Sequence, residues 1–134
     1  MILLDTSFLV AYRNERDVHH AAAAKLMERI RNGEFGPSLL LEYVFLELVT
    51  VLQARRGLAA AVAAGRELLA ASDVEFVPCS SLFTPILETF RSQSATSWSF
   101  ADAALVTVAK RRGVEAIATF DRDLARAPGV STVP

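Results

Sequence analysis

Four acidic residues are candidates for a shared site, because the predicted strands and helices should bring their carboxylates together: Asp5, Glu47, Asp102 and Asp121. Asp5 follows an apolar segment at the start of the chain and Asp121 follows another near the end, so we expect both just beyond the carboxyl ends of strands. Ligands of open parallel sheets bind at that edge. Carboxylates in one cleft repel each other unless a cation neutralises them. The only two lysines, Lys25 and Lys110, follow neither of these strands.

Glu47 is the most informative of these acids because its helical neighbours carry no positive charge. The residues three and four positions away are Tyr43, Val44, Thr50 and Val51. A carboxylate on so apolar a helix is costly unless something receives it, although a narrow exposed stripe is the alternative. Glu42 is the weaker candidate, since an acid in the first turns of a helix is favourable whatever its function.

The other acids also have purely structural alternatives. Asp102 follows Ser99 at the spacing of a capping box, which would stabilise the start of a helix. Asp5 can be a turn residue, and Asp121 with Asp123 can form an Asx turn. The shared location of the acids favours a metal site over three unrelated turns.

A hard divalent cation, Mg²⁺ or Mn²⁺, suits a site built from carboxylate oxygens. The His and Cys spacings typical of zinc sites are absent from the sequence. Such an ion activates water and stabilises the charge that develops on a phosphodiester. The acids therefore predict hydrolysis of phosphate esters.

Strands that alternate with helices must position these acids. The predicted strands are Ile2–Leu4, a short one within Glu34–Pro37, Val74–Val77, Ala116–Thr119 and an edge strand at Val130–Val133. The predicted helices are Phe8–Tyr12, Asp17–Ile30, a long one with Ser38 as N-cap that ends at Arg56, Leu58–Ala71, Ile86–Arg91 preceded by Thr84 and Pro85, and Ser99–Arg112. This alternation predicts an α/β fold with a mostly parallel central sheet covered on both sides.

Composition limits the class of protein. With 134 residues and 52% hydrophobic residues, the chain is the size of one domain, and we expect a single domain over residues 1–134. The net charge of −1 excludes nucleic-acid binding by bulk positive charge. Cys79 is the only cysteine, the start of the chain lacks the features of a signal peptide, and no apolar run approaches about 20 residues. These features predict a cytoplasmic protein without a membrane segment.

The sequence resembles the PIN-domain family, in particular the VapC-like toxins, over essentially its whole length. The matching segments are Ile2–Ser7, Glu47 within Leu46–Val49, Ser99–Ala103 and Thr119–Leu124. Each segment is short, and their order and spacing make the combined resemblance specific.

The resemblance implies a three-layer α/β/α PIN-like fold with an acidic Mg²⁺ or Mn²⁺ site for endoribonuclease chemistry. Its metal-binding and catalytic residues would be Asp5, Glu47, Asp102 and Asp121. Ser7 and Thr119 would support the site, with Asp123 as a fifth acid. The resemblance also implies an RNA substrate, a homodimer and a cognate antitoxin whose C-terminal segment covers the cleft.

Four arginines are candidates for phosphate contacts at the rim of the cleft, although a solvated surface position is the default for each: Arg13, Arg16, Arg122 and Arg126. His20 is expected to serve in packing. Trp98 can either stack a base or pack in the core or in a loop.

Other functions are less consistent with the sequence. A haloacid-dehalogenase phosphatase needs a second Asp where Ser7 stands, and a response-regulator receiver needs a lysine after a late strand. A housekeeping RNA-processing nuclease and a non-catalytic protein-interaction module remain open alternatives.

Overall fold

The computed structural model describes residues 1–134 as an α/β protein with a five-stranded, all-parallel sheet. The strands are β1 (Ile2–Leu4), β2 (Ser38–Leu41), β3 (Val74–Val77), β4 (Ala116–Ala118) and β5 (Thr132–Val133). They lie in the order β3-β2-β1-β4-β5. Since β1 lies between β2 and β4, its carboxyl end is at the middle of the sheet edge.

Six helices connect the strands: α1 (Thr6–Arg13), α2 (His20–Arg31), α3 (Glu42–Arg56), α4 (Leu58–Ala70), α5 (Phe83–Ser92) and α6 (Phe100–Arg112). Every residue of β1, β2 and β4 is buried. Because successive side chains of a strand point to opposite faces, helices must cover both faces of the sheet, as the predicted three-layer arrangement requires.

Helix α6 is buried on nearly every side, since all seven residues from Ala103 to Ala109 are buried. Its Ala-rich sequence lets it approach neighbouring elements closely, and Gly113 ends it in a left-handed conformation. The long buried face of α3 is formed by Val44, Leu48 and Leu52. The helices that carry Asp102 and Glu47 are therefore held firmly by the core.

The sequence prediction was wrong at the start of α3. Glu34–Pro37 forms no strand, and Ser38 begins β2 instead of capping a helix. Ser38 pairs in parallel with Ile2 on one side and with Val74 on the other, and α3 begins only at Glu42. The apolar residues of β2 run into the helix without a break, so periodicity alone does not separate the two elements.

Two smaller differences concern α5 and the last strand. Helix α5 begins at Phe83, so Thr84 lies in its first turn and is not its N-cap. The edge strand is limited to Thr132–Val133. The remaining predicted strands and helices are confirmed to within a few residues. No helix in the structure has the length and apolar character needed to span a membrane.

Candidate active site

Asp5 is the best anchored of the candidate acids. It lies directly after β1, and its side chain is buried. Its Oδ2 atom accepts hydrogen bonds from the Ser7 hydroxyl at 2.6 Å and from the Thr119 hydroxyl at 2.7 Å. The Asp5 backbone N–H also donates to the carbonyl of Ala118 at 3.1 Å. Asp5 therefore ties the ends of β1 and β4 together and leaves its Oδ1 atom out of these bonds.

The hydroxyls of Ser7 and Thr119 extend this network to Asp121. The Thr119 hydroxyl accepts a hydrogen bond from the Asp121 backbone N–H at 2.9 Å, and the Ser7 hydroxyl accepts one from Phe120 N–H at 3.0 Å. The Oδ1 atom of Asp121 accepts from the backbone N–H of Asp123 at 2.8 Å, which is the Asx turn that the sequence suggested. The two hydroxyls thus fix the loop that carries Asp121 relative to Asp5.

Asp102 is both the capping residue of α6 and a neighbour of the other acids. Its Oδ2 atom accepts from Ser99 N–H at 2.8 Å, and the Ser99 hydroxyl accepts from Asp102 N–H at 3.1 Å, which completes a capping box. Burial raises the pKa of Asp102, the hydrogen bonds from Ser99 lower it, and the negative charges of Asp5 and Asp121 raise it. The capping role therefore does not remove Asp102 from the acidic cluster.

Glu47 lies on the exposed side of α3, with its carboxylate near enough to Asp5 and Asp102 to be affected by their charges. Partial burial of the carboxylate raises its pKa, and the charges of Asp5 and Asp102 raise it further. The Thr6 hydroxyl is buried and has no hydrogen-bond partner, so burial and the neighbouring negative charges decide the direction of the pKa shift of Glu47. The carboxylates of Asp5, Glu47, Asp102 and Asp121 thus influence each other, although they come from four separate segments.

Glu42 has a different environment from Glu47. Its Oε2 atom accepts a hydrogen bond from the backbone N–H of Cys79 at 2.8 Å, just after β3. The bond ties the first turn of α3 to the end of the neighbouring strand. Glu42 is therefore occupied in holding the fold together, whereas Glu47 faces the other acids.

An open cleft of about 400 Å³ adjoins the cluster. Glu47 and Asp121 line it together with Arg55, His19 and Phe120. None of the five salt bridges of the protein involves Arg55. The cleft thus combines carboxylates, one guanidinium group and aromatic surface.

The donor set fits a hard divalent cation in its chemistry, because the four clustered side chains offer carboxylate oxygens. No three His, Cys, Asp or Glu side chains are grouped closely enough to hold a metal ion as they stand. The four carboxylates are therefore neighbours by charge but not a preformed set of ligands. The pKa values of Glu47 and Asp102 are raised by burial and by the negative charges of neighbouring acids. A bound cation would reduce that repulsion between like charges.

Asp123 serves as a link between two loops. Its carboxylate contacts the Ser97 N–H and Arg126, both at 3.3 Å, and its backbone carbonyl accepts from the Trp98 indole N–H at 3.0 Å. These contacts join the segment before α6 to the segment after β4. Asp123 thus holds together the two segments from which Asp102 and Asp121 arise.

The remaining candidates, for base stacking, packing and phosphate contacts, have different environments in the structure. Trp98 is buried at 7% exposure, so it packs in the protein and offers no face to a base. His20 packs as expected, with its Nδ1 atom 2.8 Å from the carbonyl oxygen of Ala11. Arg13 is engaged with Glu67 at 2.8 Å, whereas Arg16 and Arg122 are exposed and form no salt bridge.

Sequence reasoning missed His19, Arg55 and Phe120 as residues of the cleft. Arg55 stands in the last turn of α3, where a basic residue is favourable in any helix, so its type carries no signal. His19 and Phe120 meet only through the fold. The spacing of Arg55 from Glu47, eight residues or about two helical turns, is the one available clue.

Comparison with known proteins places the chain in a family. The PIN domain family model matches residues 2–130, and the chain belongs to that family. A comparison with curated protein sequences finds no match.

Three solved structures share the fold. VapC20 of Mycobacterium tuberculosis, described as a sarcin-ricin loop cleaving toxin, is 27% identical, with full coverage of both chains and a TM-score of 0.85. FitAcB of Neisseria gonorrhoeae is 15% identical over 100% of this chain and 97% of that chain, with a TM-score of 0.64. PAE2754 of Pyrobaculum aerophilum is 24% identical over 98% of this chain and 88% of that chain, with a TM-score of 0.58. The last two similarities show the fold alone.

Proposed function

We propose that the protein is a divalent-metal-dependent endoribonuclease that acts as the toxin of a toxin–antitoxin pair. The observation that carries the proposal is the grouping of acids at the carboxyl edge of a PIN-family sheet. The Thr119 hydroxyl joins Asp5 to the backbone of Asp121, Glu47 and Asp121 line one cleft, and Asp102 lies near enough to Asp5 and Asp121 for their charges to raise its pKa. Arg55 is the only lysine or arginine side chain that lines the adjoining cleft, and one guanidinium group does not balance four carboxylates. Mg²⁺ or Mn²⁺ is the natural partner of carboxylate oxygens.

Each acid has a distinct part in the proposed site. Asp5 is held rigidly by Ser7 and Thr119, so it sets the position of the ion. Asp121 is aligned by the same Thr119 hydroxyl. Asp102 keeps one oxygen on Ser99 while its other oxygen takes no part in that bond. When bound, Mg²⁺ or Mn²⁺ supplies an activated water and stabilises negative charge on the phosphodiester.

Glu47 is the fourth acid of the proposed site. Its carboxylate comes from α3, and the raised pKa marks a group whose charged form needs a cation. Since Glu42 is engaged by Cys79, Glu47 is the acid of α3 that we assign to the metal. Ser7, Thr119 and Asp123 act through the acids that they position.

The proposed substrate and partner rest on similarity to VapC20, which matches the whole chain and is described as a sarcin-ricin loop cleaving toxin. We propose RNA as the substrate and a cognate antitoxin as the partner. We also propose a homodimer, for which the exposed apolar residues Phe83 and Leu87 on α5 offer surface. A cytoplasmic location and a single domain over residues 1–134 belong to the same proposal.

The test is RNA cleavage by purified wild type and Asp102→Asn, with new RNA ends mapped by sequencing. Asparagine retains an oxygen for Ser99 N–H and removes the charge. We expect cleavage by wild type with Mg²⁺ or Mn²⁺, none with EDTA, and a loss of at least about 100-fold in the variant, since even indirect partners of metal ligands contribute 10–100-fold. Glu42→Gln is the matched control and should cleave normally. Equal cleavage by wild type and Asp102→Asn would remove the proposed site.

The toxin assignment needs a separate test in cells. Expression of the wild type should arrest growth, and co-expression of a short reading frame adjacent to its gene should restore it. Growth arrest by Asp102→Asn to the same extent would show that the effect does not come from RNA cleavage.

A further inference from the structure

An exposed aromatic pair lines the cleft beside the carboxylates. The rings of His19 and Phe120 are stacked, with their centroids 4.4 Å apart and their planes 7° apart. His19 is exposed, whereas Phe120 is half-buried and packs against the core. Phe120 thus supports one face of the imidazole, and the ring has a second face that is free of this contact.

Backbone hydrogen bonds hold both His19 and Phe120 in place. Its backbone N–H donates to the Asp17 carboxylate at 2.8 Å, which orders the residues before α2. Phe120 is held by its own N–H, which donates to the Ser7 hydroxyl at 3.0 Å. The two rings are therefore presented by ordered backbone at the start of α2 and at the end of β4.

The pair lies within the proposed nuclease cleft. His19, Phe120, Glu47 and Asp121 line the same space, and Phe120 directly precedes Asp121 in the chain. Arg55 lines it too and is free of salt bridges, so it can contact a phosphate in a cleft that is otherwise negative. A flat aromatic surface beside a cation matches the two parts of a single-stranded nucleotide, its base and its phosphate.

We propose that His19, supported by Phe120, is a stacking platform for one unpaired base of the RNA next to the cleaved bond, with Arg55 on the adjoining phosphate. This inference rests on the proposed nuclease function and adds a subsite to it. Because every base has a flat face, stacking tolerates any base identity. The subsite therefore holds the strand in place and contributes affinity without selecting sequence.

The test uses short single-stranded RNA with the fluorescent base 2-aminopurine placed in turn at each position around the mapped cleavage site. Binding is measured with the full chain carrying Asp102→Asn, so that the RNA stays intact. We expect quenching at one position. Adding His19→Ala should abolish that quenching and weaken binding by about 5- to 150-fold, the range observed for loss of one stacked base. His19→Phe should retain both, because it keeps a planar ring.

Two controls separate stacking from general effects. Val18→Ala changes a neighbouring residue that is 91% exposed and should bind RNA as the parent does. An RNA without a base at the quenched position should bind equally to the parent and to His19→Ala. Circular dichroism verifies that each variant is folded, and His19→Phe tests the platform even if His19→Ala fails to fold.

Two results would overturn the inference in different ways. If wild type cleaves RNA at mapped sites but His19→Ala binds within about twofold of the parent and quenching persists, the stacking subsite is wrong and the nuclease function stands. If wild type neither cleaves nor binds RNA, the nuclease function itself fails, and the subsite fails with it.

Discussion

Replacing Glu47 by glutamine keeps the size of the side chain and removes its charge, which tests the proposed metal site through the stability of the protein. Burial and then the charges of Asp5 and Asp102 raise the pKa of Glu47 above its ordinary value of 4.5. A carboxyl with a raised pKa in the folded state stabilises the fold fully below its ordinary pKa, and this contribution is lost as the pH rises through the raised value. Without metal at pH 7, Glu47→Gln should therefore be at least as stable as wild type, and its stability should fall less above about pH 4.5.

Added Mn²⁺ should reverse the order of the two proteins. A ligand present at about 100 times its Kd stabilises the folded state by about 2.7 kcal/mol. For a chain of this length, about 4 °C in Tm per kcal/mol gives a rise of about 11 °C in wild type. If Glu47→Gln weakens the ion about 100-fold, the same concentration only equals the new Kd, which leaves about 0.4 kcal/mol, or about 2 °C.

The assay is thermal unfolding followed by circular dichroism, with EDTA and with MnCl₂, at pH 7 and at pH 4. Protonation of Glu47 and Asp102, whose pKa values are raised, should reduce the metal-induced rise in wild type at pH 4. Glu42→Gln is the matched variant on the same helix and should show the full rise. An equal rise in Glu47→Gln and wild type at every MnCl₂ concentration would exclude Glu47 from the metal site.

Three further predictions concern stability. Asp102→Ala should lose about 1 kcal/mol, or about 4 °C in Tm, relative to Asp102→Asn because only asparagine can still accept from Ser99 N–H; equal Tm values would refute the capping role. Trp98→Phe should cost about 1–3 kcal/mol in urea unfolding, since it leaves the Asp123 carbonyl without its indole donor, and a change below about 0.5 kcal/mol would contradict this. Gly113→Ala should cost about 1–2 kcal/mol at its φ of 62°, whereas Gly113→Asn should cost less; the same urea experiment compares them.

Much of the fold followed from the sequence because its elements have clear ends. Gly57 separates α3 from α4, and Gly113 ends α6. The missed strand, Ser38–Leu41, has no such boundary on its carboxyl side. Its residues are buried on both faces, so they show neither the alternation of a half-exposed strand nor a turn before Glu42. Only pairing with β1 and β3, a contact between distant segments, identifies it.

The candidate site was predictable where an acid follows a strand or sits unpaired on an apolar helix. Asp5 and Glu47 have these signals in the sequence itself. Asp102 does not, because a capping residue and a member of an acidic cluster have the same local sequence, and in the structure it is both. The His19–Phe120 stack joins residues about a hundred positions apart, and no local pattern marks it.

The Asp5–Thr119 hydrogen bond has a consequence for synthesis of the chain. The two residues are 114 positions apart, so at about 5–20 residues per second a ribosome needs roughly 6–23 s between them. Until Thr119 has been made, the first strand lacks its neighbour and the acids have no common edge. Under the proposed nuclease function, a nascent chain therefore lacks the Asp5–Thr119 contact of the active site until Thr119 has been made. On the same proposal, that delay gives an antitoxin translated from the same messenger time to be present before the site is assembled.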